Sequence, residues 1–261
     1  MPVAIALLCT GRLLCGYPLP DARGTPAAPG AAVQVARGDS LYAQFRLPAA
    51  RAAYAAAIEA EPGNFGALYR LAHVESELGE DAKGEEQSRL VAAAVEHARA
   101  AIKAAPDSAQ GHVWLAVALG RQALKEGAKK RLALSREIKA EVDRGIAIDP
   151  AIGRAYHVRA LWNRKLASLN ALERMAANVV LGGVPKGASM TNAVNDLEKA
   201  IALEPGYVNH HLELARTFLM LHRNADAKRE LERASSLPPT SNPRDPTYQA
   251  EARELLKKLP R

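Results

Sequence analysis

A pattern of a small residue, a larger residue, a second small residue and a proline recurs five times in this chain at the spacing i, i+4, i+7 and i+12, with alanine at the larger position in the second copy and looser identities in the third. The copies are Ala50, Tyr54, Ala57, Pro62; Ala94, Ala98, Ala101, Pro106; Ile138, Val142, Gly145, Pro150; Ala193, Leu197, Ala200, Pro205; and Ala227, Leu231, Ala234, Pro239. Spacings of four and seven place the first three residues on one face of a helix, where small side chains allow a neighbouring helix to approach closely. Proline, lacking an N–H, then stops the helix so that the chain can reverse. The runs before three of these prolines, Ile58-Glu59-Ala60-Glu61, Ile146-Ala147-Ile148-Asp149 and Ile201-Ala202-Leu203-Glu204, repeat the same ending.

This is the second-helix pattern of a tetratricopeptide (TPR) hairpin, and it predicts an all-α superhelical solenoid of about five hairpins over residues 31–261. Composition agrees: the chain is 48% hydrophobic but only 5% aromatic, an alanine-rich make-up that favours close-packed helices over strands. The proline-to-proline intervals are 44, 44, 55 and 34 residues, so only the last has the standard TPR length of about 34 and the rest carry inserts. In the second and third repeats the inserts fall near Gly79–Glu86 and Gly127–Lys130 and lengthen the second helices. In the fourth, a long first helix is expected from Ile152 to about Leu181, ending at Gly182-Gly183-Val184-Pro185. A helix over 247–259 caps the end of the stack.

Residues 1–16 read as a degraded or mis-started signal peptide, apolar from Val3 to Cys9 but without a basic start and interrupted by Arg12. Export, for instance to a periplasm, is the expectation, with a cytoplasmic location as the alternative. The stretch is too short to span a membrane, and no transmembrane segment is expected elsewhere. Residues 17–30, rich in proline, alanine and glycine, read as a flexible linker. Both cysteines, Cys9 and Cys15, precede the linker, so the body of the chain holds neither an internal disulfide nor a thiolate metal site.

The insert positions, with Gly127-Ala128-Lys129 followed by Ser135, Ile138 and Lys139, then Leu161-Trp162-Asn163-Arg164 through Leu181-Gly182-Gly183-Val184-Pro185, resemble the TPR domain of the regulator of microtubule dynamics family. The resemblance spans roughly Leu68 to Leu259. It implies a TPR fold, and its eukaryotic members link it to microtubules, organelle contact sites and lipid binding. The composition, heavy in alanine, arginine and glycine, points to a bacterial relative.

In a TPR stack the first helices line a concave groove. Counting offsets from each preceding proline places Tyr69, His73 and Glu77 there, then Gln110, Val113 and Arg121, then Arg154, His157, Arg164 and Lys165, then Asn209, Leu212 and Arg216. The set is mostly basic or polar and suits an acidic peptide or protein segment, or an anionic phospholipid head group, held by charge-assisted hydrogen bonds. Tyr69 and His73 stand where a carboxylate-clamp TPR needs Lys and Asn, which argues against chaperone C-termini as ligands. The cluster Lys125, Lys129, Lys130, Arg131, Arg136 and Lys139 is interleaved with Glu126, Glu137 and Glu141 and is expected to pair along a solvated face.

The run Met175–Leu181 is expected as buried helix, with the wall of a lipid pocket as the other reading. Trp114 and Trp162 are expected in the core, Trp162 nearer the groove. The net charge of +7 comes without dense basic blocks, so no nucleic-acid partner is expected. The histidines show no metal-ligand spacing, and phosphate-loop, dinucleotide and nucleophile motifs are absent, so neither an enzyme nor a cofactor is expected. The primary expectation is therefore a binding scaffold, the alternative a lipid-binding or lipid-transfer domain.

Overall fold

A computed structural model describes residues 30–180, 183–240 and 242–259; the signal-peptide reading and nearly all of the linker lie outside them. The described residues form twelve helices and no strand. They are α1 (Ala31–Ala43), α2 (Leu47–Ala60), α3 (Phe65–Asp81), α4 (Gly84–Ala104), α5 (Ala109–Ala123), α6 (Ala128–Ile148), α7 (Gly153–Ala167), α8 (Ala171–Val180), α9 (Met190–Leu203), α10 (Val208–Met220), α11 (Asn224–Ser236) and α12 (Asp245–Lys258).

Every small and large position of the repeating pattern is buried, on α2, α4, α6, α9 and α11. Each of these helices packs against the first helix of its own hairpin and the first helix of the next. The third copy carries glycine for a steric reason. A Cβ on Gly145 would sit 2.8 Å from Val113 Cγ2, so α5 and α6 meet where only a hydrogen fits. The first helices also pack on one another, α1 on α3, α3 on α5, α5 on α7, α7 on α10 and α10 on α12, whereas the backbones of successive second helices stay further apart, α4 and α6 meeting through the Arg99–Glu137 ion pair. That asymmetry curves the stack, with the first helices inside.

Two hairpins share a further device. His112 and His211, each six residues after its proline, bond back to the carbonyl oxygens of Pro106 and Pro205 at 3.0 and 3.1 Å. Their other ring nitrogens meet Glu141 on α6 and Glu230 on α11 at 2.6 and 2.7 Å. Each imidazole thus ties the proline turn to the second helix of the hairpin that follows it.

The fourth repeat departs from the expectation. The long helix from Ile152 is broken after Ala167, and α8 starts anew at Ala171. Asn170 is the cause: its side chain accepts from the Glu173 amide at 2.9 Å, and the Glu173 carboxylate accepts from the Asn170 amide at 2.9 Å, a reciprocal capping box. The Arg174 guanidinium then donates to the carbonyls of Leu166, Ala167 and Leu169, closing the C-terminus of α7. No helix among the described residues is long and apolar enough to cross a membrane.

Candidate binding face

The inner face is filled by side chains of its own helices, and Arg154 lies at their centre. Its guanidinium sits over the Trp114 ring at 4.8 Å and the Tyr207 ring at 5.0 Å, held between two aromatic faces. The opposite attraction comes from Glu77 and Glu204, which together with Tyr207 hold the guanidinium above its ordinary range even though burial pushes it down. Neither carboxylate forms an ion pair with it, and among the described residues Arg154 has no ion-pair partner.

On one side of Arg154, His73 stacks on Trp114 with ring centroids 3.8 Å apart. His73 Nε2 lies 2.9 Å from Glu77, whose carboxylate also accepts from the Tyr42 hydroxyl at 3.0 Å. Burial lowers His73, with Glu77 pulling the other way. Burial pushes Glu77 up, but His73, Arg154 and the Tyr42 hydroxyl outweigh it and leave it below the ordinary glutamate range.

On the other side, Glu204 accepts from the Arg154 backbone amide at 3.3 Å, capping the start of α7, and meets His210 Nε2 at 3.0 Å. Gly153 makes room for it, since a Cβ there would lie 2.7 Å from the Glu204 carboxyl carbon. His210 Nδ1 faces His157 Nδ1 at 2.9 Å. One of these nitrogens must donate and the other accept, which the two rings can do only if at least one of them is neutral. Burial, then His210, Arg154 and Arg164, push His157 well below the usual histidine value.

The other cations expected here are already paired. Arg121 binds Glu80 on α3. Arg164 binds the Glu213 carboxylate, the Glu213 carbonyl at 3.0 Å and Thr217 at 3.1 Å. Arg216 binds Glu213 and Glu251. Arg244, just ahead of α12, reaches back to Glu80 and Asp81 on α3, so the end of the stack is tied across the inner face to its second hairpin. Arg121 Nε and Asn209 Oδ1 are buried without a hydrogen-bond partner.

Of the expected groove residues, His73, Glu77, Arg154 and His157 therefore share one network, and Arg121, Arg164 and Arg216 flank it in ion pairs. Tyr69 packs beside Phe65 under the Arg70 guanidinium, toward the α1 end. Gln110 and Lys165 are exposed. Val113 and Leu212 belong to the apolar core rather than the groove. Both tryptophans are in the core as expected, but it is Trp114 that borders the network, while Trp162 donates to the Ser135 carbonyl at 2.7 Å.

Sequence reasoning missed Tyr42, Glu204, Tyr207, His210 and Arg244. Of these only His210 lies within a first helix away from its end, and no offset count reaches residues in turns. The basic cluster on α6 is dispersed as expected for a solvated face. Lys130 pairs with Glu126 and Lys139 with Asp143, while Arg136 donates to the Gly183 carbonyl.

Known proteins resemble this chain in sequence and in fold. The rat Regulator of microtubule dynamics protein 3 is 30% identical over 190 residues, 72% of this chain and 40% of the rat protein. The bovine protein 1 is 27% identical over 193 residues, 73% of this chain and 60% of its own length. The chain thus spans less than two thirds of either relative. A thermophilic TPR protein of Thermus thermophilus superposes with a TM-score of 0.66 at 19% identity, covering 87% of this chain and 99% of that one. PilW, a type IV pilus biogenesis factor, does so with a TM-score of 0.54 at 17% identity over 87% and 92%. Both show the fold. The family described as Regulator of microtubule dynamics protein 1-3 matches residues 34–260, nearly the whole helical stack with its inserts, and to that family this chain belongs.

Proposed function

We propose that this protein is a non-enzymatic TPR scaffold that takes an acidic segment of a partner protein on its inner face, with Arg154 as the contact. One observation carries the reading: the Arg154 guanidinium sits over the rings of both Trp114 and Tyr207 and has no ion-pair partner among the described residues, while Arg121, Arg164 and Arg216 are already neutralised by carboxylates of the stack. A planar donor fork fixed by stacking has lost its rotamer freedom before the ligand arrives, which favours a carboxylate. With Glu77 and Glu204 close by and His157 held neutral, the surroundings are not strongly positive. The face therefore suits one carboxylate among neutral residues better than a polyacidic run.

The test is an array of acidic, neutral and basic peptides on the full chain, with hits remeasured by fluorescence anisotropy against Arg154→Gln. Loss of one charge-assisted contact of about 1.5–3 kcal/mol weakens binding roughly 10- to 100-fold. Equal binding by wild type and Arg154→Gln, or binding only to vesicles of anionic phospholipid, would refute the reading.

A further inference from the structure

The helix that breaks the fourth repeat turns its apolar side the wrong way for a core element. On α8, Ala177 is buried, but Leu172, Met175 and Val179 are 68%, 58% and 79% exposed. At about 100° per residue these three fall within a sector of roughly 60°, centred nearly opposite Ala177. The stripe therefore points straight out from the body, and the expectation that Met175 and Val179 are buried is overturned. Among the described residues the backbone of α8 comes close to that of α6 and of no other helix. It is held instead by polar bonds at its ends: the Asn170 and Glu173 cap, the Arg174 bonds to the end of α7, and Asn178, which accepts from the Val184 amide at 3.2 Å. A helix fixed by its ends, with three apolar side chains left outside, is presented rather than packed.

Beside it lies a cleft of about 310 Å³ lined by Arg174, Asn178, Pro185 and Lys186 among others. Lys186 and Lys165, on the last turn of α7, are exposed and enter no ion pair among the described residues.

We infer that α8 is a docking helix, whose Leu172, Met175 and Val179 stripe seats in an apolar groove of a partner protein with an acidic rim. Anchors at i, i+3 and i+7 are the spacing by which an amphipathic helix fills such a groove. The unpaired Lys165 and Lys186 supply the charge that an acidic rim complements. A membrane surface fits less well: helices that lie in lipid interfaces carry aromatic anchors and a lysine- or arginine-rich polar face. The described side chains of α8 include no aromatic, and its arginine is turned back onto α7. This surface is separate from the Arg154 network, and neither reading depends on the other.

The test places a photo-cross-linking residue at position 175 of the full chain in a lysate of its own cells, and then purifies the captured protein. Binding of that protein is measured against wild type, Leu172→Glu/Val179→Glu and Lys165→Glu/Lys186→Glu. The inference expects at least a ~10-fold loss for the first pair, and for the second a loss that shrinks as salt is raised. Both pairs are surface changes, so unchanged helical circular dichroism and melting separate lost docking from lost folding. The inference is overturned if no protein is captured, or if the captured protein binds the Leu172→Glu/Val179→Glu variant as it binds wild type. It is equally overturned if the stripe instead drives self-association in sedimentation or binding to phosphatidylserine vesicles. Retention of docking by Arg154→Gln is expected, which keeps failure here distinct from failure of the inner-face reading.

Discussion

Acidification should unfold this protein from its inner face. His157 lies against His210 on α10 and the cations Arg154 and Arg164 on its own helix, with no carboxylate to favour its charged form. His73 and His210 are lowered as well, by burial first, with Glu77 and Glu204 partly opposing it. A histidine whose folded pKa is depressed takes up its proton in the unfolded chain first. Its stabilisation is full above the unfolded value of about 6.5 and is lost as pH falls below it, until the folded pKa is reached. For one fully depressed histidine, about 1.36 kcal/mol per pH unit integrates to about 1.3 kcal/mol between pH 7 and pH 5.5. His157 contributes nearly all of that and the two carboxylate-paired rings less, giving about 2–3 kcal/mol together. At roughly 2–4 °C per kcal/mol for a domain of this size, the melting temperature should fall by about 5–10 °C. Glu77 and Glu204, also held below their ordinary values, extend the loss in the same direction once pH drops below the glutamate range. Melting followed by circular dichroism at constant ionic strength, from pH 7 to pH 5.5, measures the slope. His157→Gln should reduce the loss over that interval by about 1.3 kcal/mol, whatever its cost at neutral pH. A melting temperature that stays flat over the interval, or a slope equal in His157→Gln and wild type, would show that these rings do not titrate as argued.

Two further changes probe local packing. Gly38→Ala places a Cβ 2.3 Å from the Tyr54 ring, whose hydroxyl is pinned to Asp39 at 2.8 Å. Overpacking should outweigh the gain of about 1 kcal/mol in helix propensity, for a net loss of about 1–2 kcal/mol in chemical denaturation. Asn170→Ala removes the cap of α8, and amide exchange across 171–174 should quicken by about 5-fold or more while the global melting temperature stays within about 2 °C.

The hairpins were legible because a proline stop and a small-residue face are local and periodic, and each copy of the pattern is found buried. Charge on the inner face was not, because Glu80, Glu213 and Glu251 neutralise Arg121, Arg164 and Arg216 in pairings that mostly cross helices, and spacing within one helix cannot reveal them. The break before α8 was written in the chain as Asn170 and Glu173, three apart, and was overlooked beneath the continuous apolar run that follows. That same run misdirected the reading of burial. Leu172, Met175 and Val179 repeat with a helical period, and periodicity identifies an apolar face without saying whether the protein's own core or another molecule will cover it.

A stack of hairpins in which each unit touches only its neighbours unravels from its ends, because the terminal unit has one partner to lose. The bonds from Arg244 to Glu80 and Asp81 alter that arithmetic. The bond to Asp81 joins residues 163 positions apart in sequence and closes the array from α3 to α12 into a circuit. Fraying of α12 then removes support from α3 as well as from α10, so the last helix and the second hairpin are coupled across the inner face. A partner seated on the inner face then steadies α12 and α3 together rather than only the hairpin it touches.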